Sequence, residues 1–214
     1  MSIAAGQTSG RSVSPTRRTS APRKRGDDTR AKIIDETVRC ITEEGFAAAT
    51  AKHVAERAGV TWGVIQYHFG DRNGLLMAVV DDGVDRLIES LSSADVSELP
   101  LQERIEVVID TAWGCYSSPT SMAAFEILRA TRGGLGESSR RHLLEMNSAI
   151  GQLGRLITTD SANAGVAEVI WAALRGVVLA QMVTGTAIDW SLERRALIDM
   201  VTLYLSDGRG YRDT

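Results

Sequence analysis

Hydrophobic residues recur at the spacing of amphipathic helices from Asp28 almost to the C-terminus. In the first such segment Ile34, Val38 and Ile41 share one predicted helix face, and Gly45 follows where a helix typically ends. We place the start of this helix at Asp28 or Thr29, because both residue types are good N-caps. No sustained run alternates apolar and polar residues with the two-residue period of a strand. The pattern therefore predicts an all-α protein.

Two short helices follow, joined by a tight turn. Thr50 is a natural N-cap for the segment AKHVAERA, Gly59 suits the turn, and Thr61 precedes the segment WGVIQYHF. Two short helices connected in this way form a helix-turn-helix. We therefore predict an N-terminal three-helix domain over residues 27–74.

The rest of the chain reads as a larger helical domain over residues 75–208, followed by a short tail at 209–214. The penultimate helix is apolar on more than one face, which predicts that it packs on the domain core and on a second copy of the chain. Proline and glycine residues mark the helix ends. The predicted helices lie near 75–92, 101–116, 121–130, 137–159, 166–184 and 191–206.

The charge of the chain is distributed unevenly. Of 214 residues 43% are apolar and 24% charged, as is usual for a soluble globular protein, and the net charge is −3. Residues 1–75 nevertheless hold 12 Lys and Arg against 8 Asp and Glu, whereas the remainder holds 12 against 19. A basic N-terminal third predicts that a polyanion meets that end of the molecule.

Residues 1–26 carry six basic side chains, no acidic ones and few large apolar ones. Such a segment buries too little apolar surface to offset its ordering entropy, so we predict a disordered basic arm. Two roles stay open for it: contact with the phosphates of a nucleic acid, or a solubilising tail.

Several classes of site and location are disfavoured. Cys40 and Cys115 lie in apolar helical patterns, which favours buried small side chains over a redox role. The histidines do not pair with cysteine or carboxylate at metal-ligand spacing, so we expect no metal and no cofactor. No segment resembles a membrane span or a signal peptide, which predicts a cytoplasmic protein. The three histidines are His53, His68 and His142.

The stretch from Ile33 to Leu76 resembles the DNA-binding domain of the TetR family of bacterial regulators. The resemblance lies in EEGFAAATAKHVAERAGVTWGVIQYHFGDRNGLL, whose features follow the order typical of that family. It implies a two-domain all-α fold, a homodimer formed by the last two helices (166–184 and 191–206), and repression relieved by a ligand in the C-terminal domain. Double-stranded DNA is then the expected partner, with an inverted-repeat operator whose half-sites lie about 34–36 Å apart or a multiple.

The resemblance also implies which residues contact DNA. Gln66 stands where the family usually has tyrosine and is suited to pair with adenine, whereas Trp62 and Val64 depart from the usual choices and suit thymine methyl groups. Tyr67 and His68 match the family's phosphate-contacting pair. The full predicted set is Thr50, Lys52, Thr61, Trp62, Gly63, Val64, Gln66, Tyr67, His68 and Arg72, with Arg30 as a further backbone contact.

Aromatic, methionine and polar residues in the middle helices suggest a pocket for a small apolar effector. The alternative is that they only fill a core. Arg175 shares a helix face with Trp171, and Gln181 is a second polar candidate. The predicted pocket residues are Trp113, Tyr116, Met122, Phe125, Met146, Trp171 and Arg175.

Two other functions compete with a ligand-released repressor. One is a dimeric DNA-binding regulator that senses nothing, and the other is a helical small-molecule-binding module without a DNA role. An enzyme is disfavoured because the chain has no nucleophile elbow, phosphate loop or zinc motif.

Overall fold

The computed structural model describes residues 21–131, 151, 154–158 and 165–207. Every regular element within these residues is helical, which confirms the predicted fold class. A single 3₁₀ turn, Phe46–Ala48, lies between the first two helices. The helices are α1 (Ala21–Glu44), α2 (Ala51–Ala58), α3 (Trp62–Phe69), α4 (Arg72–Ser93), α5 (Leu101–Tyr116), α6 (Pro119–Ala130), α7 (Gly165–Thr184) and α8 (Ser191–Ser206).

Helix α1 begins at Ala21, earlier than the start predicted at Asp28 or Thr29. Residues 21–26 are therefore helical, and the prediction that they belong to a disordered arm is wrong. Pro22 occupies the first turn, where its missing N–H costs nothing, and the Arg and Lys residues that follow favour helix. The remainder of the predicted arm, residues 1–20, lies outside the described residues.

The turn between α2 and α3 forms as predicted. Thr50 caps α2, its hydroxyl accepting a hydrogen bond from the backbone N–H of His53 at 3.2 Å. Gly59 ends α2 in the left-handed conformation, at φ 66° and ψ 34°, which glycine adopts without strain. Thr61 holds the N-cap position of α3, although its side chain makes no capping hydrogen bond.

The core of the N-terminal domain includes more than its three helices. Residues of α1, α2 and α3 pack with the first half of α4 and with α6, so that α4 contributes to both domains. The N-terminal domain thus rests directly on the larger domain. Representative fully buried side chains of this core are Ile33, Ile41, Val54, Ile65, Leu76 and Ile127.

A second core unites α4, α5, α7 and α8. Helices α5 and α8 have the predicted bounds, and Arg194 of α8 donates hydrogen bonds of 2.6 Å to Asp110 and Glu106 of α5. The helix predicted at 137–159 lies mostly outside the described residues, although 151 and 154–157 are helical.

Helix α7 is long and apolar enough to cross a membrane by length and composition, with 20 residues at a mean hydropathy of 1.6. The expectation that no segment resembles a span is therefore wrong for Gly165–Thr184. That expectation was based on a run of uncharged apolar residues, and Glu168 and Arg175 interrupt such a run in α7. Buried residues such as Ile170 and Leu174 pack into the core. Because core helices of water-soluble proteins pass the same test, α7 alone is weak support for a membrane span.

Gly74 is the glycine that the start of α4 requires. A Cβ atom at this position would lie 1.9 Å from the carbonyl oxygen of Phe69. We expect Gly74→Ala to lower the free energy of unfolding by about 1–3 kcal/mol or more, because backbone must move to admit the methyl group. Urea denaturation measures this change.

A matched control is Gly114→Ala in α5, where an added Cβ meets nothing within 4 Å. This variant should be neutral or more stable by up to about 1 kcal/mol, because alanine favours helix. Equal urea midpoints for Gly74→Ala and the parent protein would contradict the steric argument.

Candidate nucleic-acid interface

Helix α3 has one buried anchor and a wide exposed face. Ile65 is completely buried, and Val64 and Phe69 pack partly against the same core. Tyr67 is 84% exposed and Trp62 46% exposed, although both are large aromatic residues. The outer face of α3 thus presents aromatic groups to solvent, with the Tyr67 ring edge-on to the ring of His68 at 5.0 Å. We call this surface the α3 face; its residues are Thr61, Trp62, Gly63, Gln66 and Tyr67.

Val64 differs from this group because it is half-buried and packs on the N-terminal core. Gly63, in contrast, has open space around it: an added Cβ would approach only the Thr61 hydroxyl oxygen, at 3.7 Å. The protein's own packing therefore does not explain a glycine here. A glycine would allow another molecule to approach the backbone of α3 closely.

The other predicted contact residues surround the α3 face. Lys52 is exposed on α2, with only a long 3.9 Å ion pair to Glu56. His68 is half-buried, and an added Cβ at Gly26 of α1 would lie 4.0 Å from its ring. Helix α1, which carries the basic segment Arg23–Arg25 in its first turns, therefore passes beside the end of α3.

Arg72 has a structural role that sequence reasoning missed. Its Nε donates to the carbonyl oxygen of Ala49 at 2.8 Å, and its guanidinium lies over the Phe46 ring at 4.9 Å. A further hydrogen bond reaches the Phe46 carbonyl oxygen at 3.4 Å. Arg72 thus fixes the start of α4 to the turn before α2, and a phosphate contact by the same side chain stays a prediction.

Arg30, the further backbone contact predicted, is exposed on α1. Its guanidinium lies over the Phe69 ring at 5.5 Å.

Arg57 joins α2 to α1 through three carboxylates. It donates to Glu43 at 2.7 Å and to Glu36 at 3.3 Å, and it also contacts Glu44. The hydrogen bonds that Arg57 donates to these carboxylates, first that to Glu43, raise the pKa of Arg57 above its usual value. The cluster holds α2, and with it the turn into α3, at a defined angle to α1.

The expectation that no histidine meets a cysteine or carboxylate is wrong for His53. Its Nε2 atom lies 2.9 Å from Glu44 Oε2, and Cys40 Sγ is within 4.8 Å of both groups. The hydrogen bond with His53 lowers the pKa of Glu44, and Arg57 adds to this effect. Burial and the charge of Glu44 raise the pKa of Cys40. Linear spacing hid this cluster because α1 and α2 bring it together.

The residues predicted to bind the effector do not all pack together in the structure. Tyr116 packs against Phe125 and Trp171, with ring centroids 4.8 and 4.4 Å away. Trp113 stacks instead on Trp190 at 4.5 Å. These contacts make one aromatic group, Tyr116, Phe125 and Trp171, the centre of the described part of the larger domain.

Two polar atoms of this aromatic group are buried without a hydrogen-bond partner among the described residues: Tyr116 Oη and Trp171 Nε1. Burial raises the pKa of Tyr116, and the charge of Arg175 opposes this only partly, so the phenol remains a donor at neutral pH. Arg175 itself is exposed, whereas Trp171 is buried, and a place for Arg175 in a ligand pocket stays a prediction. Met146 lies outside the described residues.

A cleft of about 480 Å³ lies where the two domains meet. Met122 lines it, and so does Gln181, whose buried Oε1 has no hydrogen-bond partner in the part of the chain that the structure describes. Glu126 also lines it and accepts a 3.3 Å hydrogen bond from the backbone N–H of Phe46. Sequence reasoning missed Glu126, because its partner lies 80 residues away and no local motif marks it.

Helices α7 and α8 expose several large apolar side chains. Val183 is 87% exposed and Leu203 64% exposed, and an apolar groove of about 450 Å³ runs between the two helices. We call this surface the α7–α8 face. Its large apolar members are Val169, Leu179, Val183, Met200, Leu203 and Tyr204.

An all-helical chain with a helix-turn-helix whose second helix faces solvent belongs to the structural class of helix-turn-helix proteins. A sequence model of the family described as bacterial regulatory proteins, tetR family, matches residues 33–79. The HTH-type transcriptional regulator BetI of Escherichia coli is 34% identical over 84 residues. That match covers 38% of this chain and 43% of the relative, so the chain spans less than half the length of the curated protein it matches.

Solved structures share the fold over most of the chain. A TetR transcription regulator from Haloarcula marismortui has a TM-score of 0.66 at 17% identity, covering 85% of this chain and 98% of its own. The regulator FadR of Bacillus subtilis, in complex with stearoyl-CoA, has a TM-score of 0.65 at 15% identity, covering 80% and 97%. Residues 33–79 of the N-terminal domain thus carry the sequence signature of the TetR family, and the described chain shares its fold with solved TetR-family structures. The relatives it matches are transcriptional regulators, not enzymes.

Proposed function

We propose that this chain is a homodimeric, sequence-specific DNA-binding transcriptional regulator, and that α3 enters the major groove. The observation that carries the proposal is the α3 face, where Trp62, Gln66 and Tyr67 are exposed around a helix anchored by Ile65. A short helix standing out from the surface fits the major groove, where base edges are distinguishable. DNA binding also places the protein in the cytoplasm.

Base recognition in this proposal falls mainly to two side chains and one glycine. Gln66 is exposed and offers both a donor and an acceptor, which suits adenine N7 and N6. Trp62 offers an apolar edge for a thymine methyl group, and Gly63 lets the backbone approach the groove. Because Val64 is half-buried, we give it a smaller part in base contact than its sequence position suggested.

Phosphate contacts come from the surroundings of the α3 face. Tyr67 and Lys52 are exposed and reach outward, while His68 lies between α3 and the first turns of α1. The N-terminus of α2 at Thr50 adds backbone N–H groups, which attract anions. Since α1 passes beside His68 at Gly26, directly after the basic residues Arg23–Arg25, we favour contact of the N-terminal arm with the DNA backbone over a solubilising role.

The α7–α8 face supports a homodimer. Exposed apolar patches of this kind mark interaction sites, and helices α7 and α8 end the described chain as an adjacent pair. A two-fold dimer presents two copies of α3, which requires an inverted-repeat operator with half-sites about one DNA turn apart or a multiple.

We further propose that a small apolar ligand bearing a hydrogen-bond acceptor binds beside Tyr116 and Trp171. Their buried O–H and N–H donors lack partners in the described protein, and an unpaired buried donor costs about 1–3 kcal/mol. A carboxylate or carbonyl oxygen would satisfy both. FadR of Bacillus subtilis, which shares this fold, was solved with stearoyl-CoA, so an acyl compound is a reasonable first class to test.

Helix α6 is the connection through which such a ligand would act on DNA binding. Phe125 packs on Tyr116, and the next residue, Glu126, accepts the hydrogen bond from Phe46. Phe46 in turn lies under Arg72 at the start of α4. A ligand that displaces Phe125 would alter this chain of contacts and favour a spacing of the two α3 helices that misfits the operator. The regulator would then be a repressor released by its ligand.

Two alternatives predict different results. A dimeric regulator without an effector would bind DNA but respond to no ligand. A ligand-binding module without a DNA role would respond to ligands but show no salt-dependent binding to duplex DNA.

Gln66→Ala tests DNA recognition. We expect this variant to lose about 1–3 kcal/mol of discrimination at one base pair of each half-site while keeping its fold, because Gln66 is exposed. Fluorescence anisotropy with a panel of palindromic duplexes measures affinity and selectivity. Gln102→Ala on the exposed surface of α5 is the control. Unchanged selectivity in Gln66→Ala would argue against base contact by this residue.

Met200→Glu tests the dimer. Met200 is 61% exposed in one chain, so its replacement should spare the fold but place a charge inside the paired α7–α8 faces. We expect monomers at micromolar concentration in analytical ultracentrifugation and weaker binding to an inverted repeat. The control Val107→Glu changes an exposed apolar residue of α5 and should stay dimeric. A dimeric Met200→Glu protein would place the interface elsewhere.

Tyr116→Phe tests the effector site with octanoate as the probe. Octanoate should raise the melting temperature and change tryptophan fluorescence, whereas octylammonium, which lacks an acceptor, should not. The variant should bind octanoate about tenfold or more weakly, because it loses a hydrogen bond to a charged group. Equal affinity of Tyr116→Phe and the parent protein for octanoate would show that octanoate does not bind beside Tyr116. No response to octanoate in either protein would favour the regulator without an effector.

A further inference from the structure

One cluster of potential metal ligands lies outside both the α3 face and the aromatic group. Cys40 and Glu44 are one helical turn apart on α1, and His53 faces them from the first turn of α2. The thiol, carboxylate and imidazole ligand atoms all lie within 4.8 Å of one another. Cys40 is buried, whereas the side chains of Glu44 and His53 are 37% and 38% exposed.

We propose that Cys40, Glu44 and His53 form a binding site for one Zn²⁺ ion per chain. A thiolate, an imidazole nitrogen and a carboxylate oxygen are the three ligand types that zinc takes in proteins, and water can fill the fourth position. The proposal goes beyond the regulator function and does not depend on it.

The geometry requires only a small adjustment. Zinc bonds of about 2.0–2.3 Å at tetrahedral angles place ligand atoms roughly 3.3–3.7 Å apart. Glu44 Oε2 and His53 Nε2 are 2.9 Å apart, closer than this, and no separation in the cluster exceeds 4.8 Å. Movements of about 1 Å by Glu44 and His53 would complete the site, and their partial exposure leaves room for such movement and for entry of the ion.

The charges around the cluster allow a divalent cation despite the nearby guanidinium of Arg57. Glu44 shares Arg57 with Glu36 and Glu43, so Arg57 keeps two carboxylate partners when Glu44 turns to a metal. Arg39 pairs with Glu36 from the same helix. Three carboxylates against two guanidinium groups leave one negative charge, and ionisation of Cys40 on metal binding adds a second.

Without a metal, the same residues would form only an ion-pair cluster with a buried cysteine beside it. The two interpretations differ in one consequence. A bound ion would cross-link α1 to α2, which also positions the turn into α3, and would therefore stabilise the N-terminal domain.

Cobalt substitution gives the most specific test, because thiolate coordination to Co²⁺ produces a near-ultraviolet charge-transfer absorption. Full-length protein is treated with a chelator, dialysed and titrated with Co²⁺ and then Zn²⁺. We expect one equivalent of Co²⁺ to produce the band, Zn²⁺ to remove it by competition, and Zn²⁺ to raise the melting temperature.

The two cysteines provide a matched pair of variants. Cys40→Ala should lose the band and bind Zn²⁺ at least about 100-fold more weakly, since loss of even an outer-shell partner costs 10–100-fold. Cys115→Ala, on α5 of the other domain, should keep both properties. His53→Gln preserves a donor for Glu44 and serves as a second variant if Cys40→Ala fails to fold.

Absence of the band in the parent protein, or a band that survives in Cys40→Ala, would overturn the proposal. If Cys40→Ala does not fold, unchanged Zn²⁺ affinity in His53→Gln would overturn it instead. Duplex DNA binding by the metal-free protein is measured in parallel. The proposed DNA binding depends on the α3 face and not on the three metal ligands. This parallel measurement therefore distinguishes failure of the metal site from failure of the regulator function.

Discussion

The orientation of α3 depends on the burial of Ile65, the one fully buried side chain of that helix. A helix of eight residues is too short to be stable alone, so its position is set by what its apolar side touches. Ile65 anchors it in the N-terminal core, with Val64 and Phe69 beside it. The rest of the helix is then free to present aromatic and polar groups to another molecule.

Packed side chains and a hydrogen bond, rather than a flexible linker, hold the two domains together. Helix α6 contributes Ile127 to the N-terminal core and Phe125 to the aromatic group of the larger domain. Glu126 lies between them and bonds to Phe46, on which Arg72 is stacked. A displacement of side chains in the larger domain would therefore be transmitted through a few packed residues to α4, the helix that follows α3. This arrangement makes α6, together with α4, the element on which ligand control of DNA binding would depend.

Local chemistry explains which features the sequence predicted well. The cap at Thr50, the left-handed Gly59 and the bounds of α5 and α8 follow from residue types that act within one turn. The start of α1 was misplaced because Asp28 is an adequate N-cap that a continuing helix overrode. Contacts across long sequence separations left no local signal. Examples are Arg72 with Ala49, Glu126 with Phe46, and His53 with Glu44 and Cys40.

The sequence relationship to known regulators is concentrated in residues 33–79, whereas the larger domain shares only its fold with solved proteins. The most direct test of the central claim, that paired α3 helices recognise DNA, is selection of bound duplexes from a random pool by the full-length protein. We expect enrichment of an inverted repeat with half-sites about one helical turn apart or a multiple. Recovery of duplexes without any common or symmetric sequence would contradict it.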